Sequence, residues 1–187
     1  MLACSFKAAA AAYPRSKWPR KVRAKRDGAV LEPTVDSFDV TVAPGEGVQA
    51  AVDRCPPGGC VLLLPGGHAG PLVLGPREVV NGEGPPVQVA DKEVHVFGRG
   101  RATLRAAAGD VLTSAALVST IDGLAVRRDA GEGRNCCGVQ VKSGRLRLQD
   151  CKVAGVRVSS VVVSGGDPMF ESCKCVAGAD VLCAALS

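Results

Sequence analysis

The chain has 187 residues, a net charge of +5, 47% hydrophobic residues and only 3% aromatics. That length suits one domain with a tail, and its core must be aliphatic, built from Val, Leu and Ala. No stretch approaches the ~20 apolar residues of a membrane span, and 23 Gly with 12 Pro exclude a long uninterrupted helix.

The charge is concentrated at one end. Residues 1–33 form a basic, extended or disordered arm holding Lys7, Arg15, Lys17, Arg20, Lys21, Arg23, Lys25 and Arg26, with no acid before Asp27. From residue 27 onward the remaining 15 basic groups face all 18 acidic ones, a net −3. Nucleic-acid or acidic-surface binding is therefore an expectation for the arm alone. Half of the aromatics, Phe6, Tyr13 and Trp18, also lie there. Basic groups interleaved with aromatics suit a phosphate backbone and its bases, or an acidic protein lattice. The arm's acid-free, Arg-rich composition is also that of an organellar transit peptide, though it has only Ser5 and Ser16.

Residues 34–60 read as an entry segment. Val48, Ala51 and Val52 recur at i, i+3 and i+4, which predicts a short amphipathic helix over Val48–Arg54. Glu46 suits its N-terminus and Pro56 ends it.

From Val61 to Ser187 the pattern is strand, turn, strand, turn. Leu146–Val153 and Pro168–Cys175 share one frame, with Cys151 and Cys173 in equivalent slots 22 residues apart. Ile121–Val126 fits the same frame with Leu124 in the Cys slot, 27 residues before Cys151. Val94–Phe97 ends 24 residues before Ile121, and Gly138–Val141 and Val156–Val163 supply partner strands. A single coil cannot bury its own inward side chains, but stacked coils place like residues in columns, so this period predicts a parallel solenoid. A β-sandwich also uses many short strands but does not predict a Cys-Lys-apolar repeat at coil spacing.

Nine cysteines include the adjacent Cys136–Cys137 and the close Cys173/Cys175. Cys55 and Cys60 bracket a Pro-Pro-Gly-Gly turn and bridge only if that turn brings them within disulfide reach. With just His68 and His95 available, no zinc pattern forms. The thiols read as small hydrophobes in a reducing compartment.

Three segments now acquire a likeness. Gly47–Val52, Pro56–Gly66 and Leu72–Leu74 resemble the opening of pectin-lyase-like right-handed parallel β-helix proteins, in which a capping helix leads through a Gly-rich turn into the first coil. Val94–Gly100 and Ile121–Leu124 resemble the coil strands that follow, so the likeness spans about residues 39–178. It implies an all-β fold, a right-handed parallel β-helix of about five to six coils with a short N-terminal capping helix. It says little of function, because the superfamily holds lyases, hydrolases, epimerases and non-catalytic F-box-associated or cytoskeletal modules. His68 stands where the family carries an aromatic, and reads as a turn residue rather than a ligand.

Lyases and polygalacturonases of that fold need clustered aspartates, a Gly-His-Gly turn or an Arg-x-Lys. Residues 34–187 contain no Asp-Asp, Gly-His-Gly or Arg-x-Lys. The coil frame puts Asp122, Gln149 and Glu171 in one outward, solvated column, with Asp122 and Glu171 roughly 10 Å apart. That separation stands just outside the ~6.5–9.5 Å of an inverting glycosidase pair. A Cys–His dyad has no local signature, Gly98-Arg-Gly100 is too short for a phosphate loop, and Phe97 and Phe170 are expected to point inward.

The expectation is a non-catalytic scaffold or binding module without cofactor or metal. Its arm, through Arg15, Lys17, Trp18, Arg20, Lys21, Arg23, Lys25 and Arg26, meets RNA or an acidic assembly such as a cytoskeletal lattice. A polysaccharide-active enzyme using Asp122 and Glu171, or a degenerate relative of one, is the alternative. The ending Leu182–Ser187 offers no polar cap, which implies a partner, self-association or further sequence. A cytoplasmic or cytoskeletal location is expected, or a mitochondrial or plastid one if the arm is a transit peptide.

Overall fold

A computed structural model of the chain describes residues 38–79, 87–129, 136–155 and 159–176. The basic arm, the start of the Val156–Val163 strand and the Leu182–Ser187 ending lie outside the described residues.

The first element is β1 (Val40–Val42), followed by α1 (Val48–Arg54). Val48, Ala51 and Val52 are the helix residues that reach the core, as their spacing requires. Glu46 does not cap this helix. Its carboxylate accepts the Ala43 N–H at 2.8 Å and braces the preceding turn, while Gly47 holds the N-cap position. Cys55, extended in front of Pro56, ends the helix because the residue before proline is pushed out of the helical region.

Strands follow in quick succession: β2 (Gly59–Leu63), β3 (Gly66–Ala69), β4 (Leu72–Leu74), β5 (Arg77–Val79), β6 (Val87–Val89) and β7 (Val94–Ala106). After them come β8 (Leu112–Ser114), β9 (Val118–Arg128), β10 (Val139–Val141), β11 (Arg145–Gln149) and β12 (Lys152–Ala154). The series closes with β13 (Val161–Val163), β14 (Met169–Glu171) and β15 (Lys174–Val176). The fold is all-β around one helix. Every strand pair is parallel except the β5–β6 hairpin, an insertion that the coil frame does not anticipate.

Three parallel ladders organise the molecule. The first joins β1, β2, β7, β9, β11 and β14, and stacks Val40, Val61, Val96, Ile121, Leu148 and Phe170 residue on residue. The second joins β3, the later halves of β7 and β9, then β12 and β15, stacking His68, Leu104, Val126, Val153 and Cys175. The third is a separate sheet, β4-β8-β10-β13, stacking Leu72, Leu112, Val139 and Val161. These columns fill one aliphatic core, in which Leu124 and Cys151 are buried beside Val96, Leu104 and Ile121. The repeating Cys slot therefore faces inward, and its thiols pack as small hydrophobes.

Two expectations change. His68 is a strand residue of the second ladder, only 1% exposed, with its Nε2 2.8 Å from the Leu64 carbonyl oxygen. That hydrogen bond lets an imidazole occupy a column otherwise filled by aliphatic side chains. Phe97 is buried but points away from the main core, into a second cluster with Phe38, Cys60 and Leu62. Phe170 packs against the main core, as its strand position requires.

The first ladder passes into the second through a stack of left-handed turns: Arg99 (φ 49°), Gly123 (φ 65°), Asp150 (φ 52°) and Ser172 (φ 50°). A Cβ on Gly123 would come within 2.9 Å of the Gly100 nitrogen in the turn below, so the close stacking requires glycine there.

Candidate functional site

Side chains alternate along a strand, so the first ladder presents an outer face opposite its Val61–Phe170 core column. Two columns occupy it. One reads Cys60, His95, Thr120, Arg147 and Met169, and the other Leu62, Phe97, Asp122, Gln149 and Glu171. The structure thus brings Asp122, Gln149 and Glu171 together on adjacent rungs, with Asp122 and Glu171 two rungs or roughly 10 Å apart.

The column is not a solvated one. Asp122 is 0% exposed and Gln149 6%, and both are packed among apolar neighbours of the same face. Glu171 is half-buried and ion-paired with Arg147, whose side chain is 6% exposed. A carboxylate held by a buried guanidinium stays ionised and is poorly placed to donate a proton. The two carboxylates do not form an open acid–base pair.

Sequence reasoning gave no weight to the juxtaposition of Cys60, His95 and Thr120 on adjacent rungs of the other column. His95 is fully buried, with Nε2 3.2 Å from Glu93 Oε1. Thiol, imidazole and carboxylate are the parts of an activated nucleophile, but neither His95 nitrogen makes a well-aligned hydrogen bond. Sequence separation of 35 residues between Cys60 and His95 concealed this pairing, which exists only because the β5–β6 hairpin is inserted between their strands.

Where the outer face meets the stacked turns lies a groove of about 610 Å³, lined by Phe38, Phe97, Arg99, Arg101, Asp122 and Asp150 among others. Phe38 and Phe97 meet edge to face at 5.3 Å, and the Arg99 guanidinium sits 5.6 Å from the Phe38 ring centre. Gly98-Arg-Gly100, too short for a phosphate loop, builds this wall through its left-handed turn.

The thiols divide by environment. The Cys151 and Cys173 thiols are hydrogen-bonded to each other across adjacent coils, which holds half-buried Cys173 below the ordinary thiol range and buried Cys151 above it. Burial pushes Cys137 up to about 12, helped by its hydrogen bond to Asp110 Oδ1 at 3.3 Å. Among the described residues the cysteines are free thiols, no three His, Cys, Asp or Glu side chains gather as a metal site, and no helix is long and apolar enough to cross a membrane. The arm residues Arg15 to Arg26 lie outside the described residues. No protein-family model, curated protein or solved structure matches the chain.

Proposed function

We propose that this chain is a right-handed parallel β-helix of pectin-lyase-like type, acting as a non-catalytic scaffold or binding module whose basic arm engages an acidic macromolecule. Support for the solenoid comes from three parallel ladders whose columns advance by 21 to 35 residues per step, as Val40, Val61 and Val96 do. The single observation that carries the non-catalytic reading is the state of the outer face. Asp122 is sealed from solvent and Glu171 is held by Arg147, so a sugar polymer lying on this face would find no accessible acid–base pair. The groove beside Asp122 is the one feature that favours a polysaccharide-active alternative.

Incubation with pectin and related uronans, with and without calcium, is expected to give no turnover, and calcium-dependent turnover would overturn the scaffold reading. Single-stranded RNA is the first probe for the arm, because Phe6, Tyr13 and Trp18 interleave with its cations. Arg15 to Arg26 hold seven basic groups, so log affinity should fall with log salt at a slope of about −5. Neutralising Arg20, Lys21, Arg23 and Lys25 to Gln should remove most of that slope. Undiminished binding by the neutralised chain would assign the contact to the β-structure. Binding to an acidic protein polymer but not to RNA would select the cytoskeletal form of the proposal. The compartment proposed is the cytoplasm, with the transit-like arm as the ground for an organellar alternative.

A further inference from the structure

We infer that the outer face of the first ladder is the docking site of the chain's own basic arm, residues 1–33. The starting observation is a face that points away from the core and yet has no contact with solvent. Cys60, His95, Thr120 and Asp122 are each 0–1% exposed. Side chains this dry lie under a cover, yet every described element in extensive contact with β7, β9 or β11 is a strand of the same sheet. Neighbouring strands pack edge to edge and cannot cover the face they share.

The arm fits the position. The described chain begins at this face: Phe38 packs on Phe97, and the Asp39 carboxylate accepts the Cys60 N–H at 2.7 Å. From β2 to β14 the face crosses four strand steps, about 19 Å, and the 37 residues before Phe38 span several times that when extended. The arm fits the chemistry too. Asp39, Glu93, Asp122 and Glu171 place four carboxylates along the face and Asp150 a fifth at its groove, against Arg99, Arg101 and Arg147. The arm carries eight cations and no acid before Asp27. Its Phe6, Tyr13 and Trp18 match the apolar part of the face, Cys60, Leu62, Phe97 and Met169. Charge pairing in a desolvated setting and aromatic burial then act together. The arm in this position closes the outer face and sequesters the Cys60–His95 pair. The inference rests on the fold reading above and is independent of any outside partner of the arm.

Zero-length carbodiimide coupling of the full chain, followed by peptide mass spectrometry, tests it. Lys17, Lys21 or Lys25 should join Glu93, Asp122 or Glu171 of the same molecule, with a yield independent of protein concentration. A coupling map in which arm lysines reach none of these carboxylates would overturn the inference. Cys60 is the second reporter. Its alkylation by iodoacetamide should be at least tenfold faster in the full-length R20Q/K21Q/R23Q/K25Q chain than in the wild type, with Cys137 as the internal reference. Equal Cys60 rates would overturn the inference as well. Loss of RNA binding with the cross-links intact would remove the proposed function and leave this docking standing. Cross-links absent with RNA binding intact would do the reverse.

Discussion

A Cβ at Gly144 would lie 1.8 Å from the Ala116 carbonyl oxygen, in a backbone already held at φ +72°. Gly58 has the same φ, +72°, with nothing within 4 Å. The pair separates conformational cost from steric cost. Gly58→Ala should destabilise by about 1 kcal/mol, the left-handed penalty alone. Gly144→Ala should cost more than about 3 kcal/mol, because backbone must move as well. Urea denaturation of the two variants measures the difference. The thiols give a pH-dependent prediction. Cys137, raised to about 12 from 9.0, binds its proton more tightly when folded. Its contribution to stability is therefore complete below pH 9 and is lost as pH rises from there toward 12. The denaturation midpoint should fall between pH 8 and 10.5, and Cys137→Ala should flatten that fall. At pH 8, Cys173 should alkylate faster than Cys137, since the hydrogen bond from Cys151 lowers the one and burial raises the other.

At the scale of elements, α1 does more than cover the first coil. β4 is the last strand of its sheet, and the Val73 N–H and C=O point off that edge. Gln49 meets both, accepting the Val73 N–H at 2.7 Å and donating to the Val73 carbonyl at 3.2 Å. A side-chain amide thus imitates the missing strand, which satisfies two backbone groups and blocks edge pairing. Lys92 fastens the other end of the helix, donating to the Asp53 and Cys55 carbonyl oxygens at 2.6 and 2.7 Å. Gln49→Ala should cost about 1–3 kcal/mol, because it orphans both groups of Val73 together. Gln49→Glu should keep the acceptor and recover part of that loss. The same chemical denaturation series reads both variants, and wild-type stability in Gln49→Ala would show the clamp to be idle. The amphipathic spacing of α1 was legible in the sequence, whereas Gln49 stood on its polar side with nothing local to mark a partner 24 residues away.

Across the whole molecule, stability should follow a strand's number of neighbours. β7, β9 and β11 each have strands on both sides, while β14 ends the first ladder and β15 the second. In a stack where each coil touches only the next, interior coils exchange last. Amides of Val96, Ile121 and Leu148 should be the slowest in native-state hydrogen exchange, and those of Phe170 and Cys175 markedly faster. Uniform protection through β14 and β15 would mean that other parts of the chain cover the last coil.

The sequence by itself determined the period. Equivalence of Cys151 with Cys173, of Asp122 with Gln149 and Glu171, and of Val48, Ala51 and Val52 on one helix face all follow from local patterning, because period and polarity are properties of neighbouring residues. Tertiary structure alone decided what each outward column meets. Asp122 read as a solvated acid, since alternation places it outside the core, yet an outward residue is wet only if nothing lies over it. Cys60 and His95 became neighbours through an inserted hairpin, Arg147 found Glu171 one rung away, and His68 entered an aliphatic column by finding the Leu64 carbonyl. Those outcomes depend on contacts between residues far apart in the chain, and the free energy of a buried polar group is set by such partners rather than by its own identity.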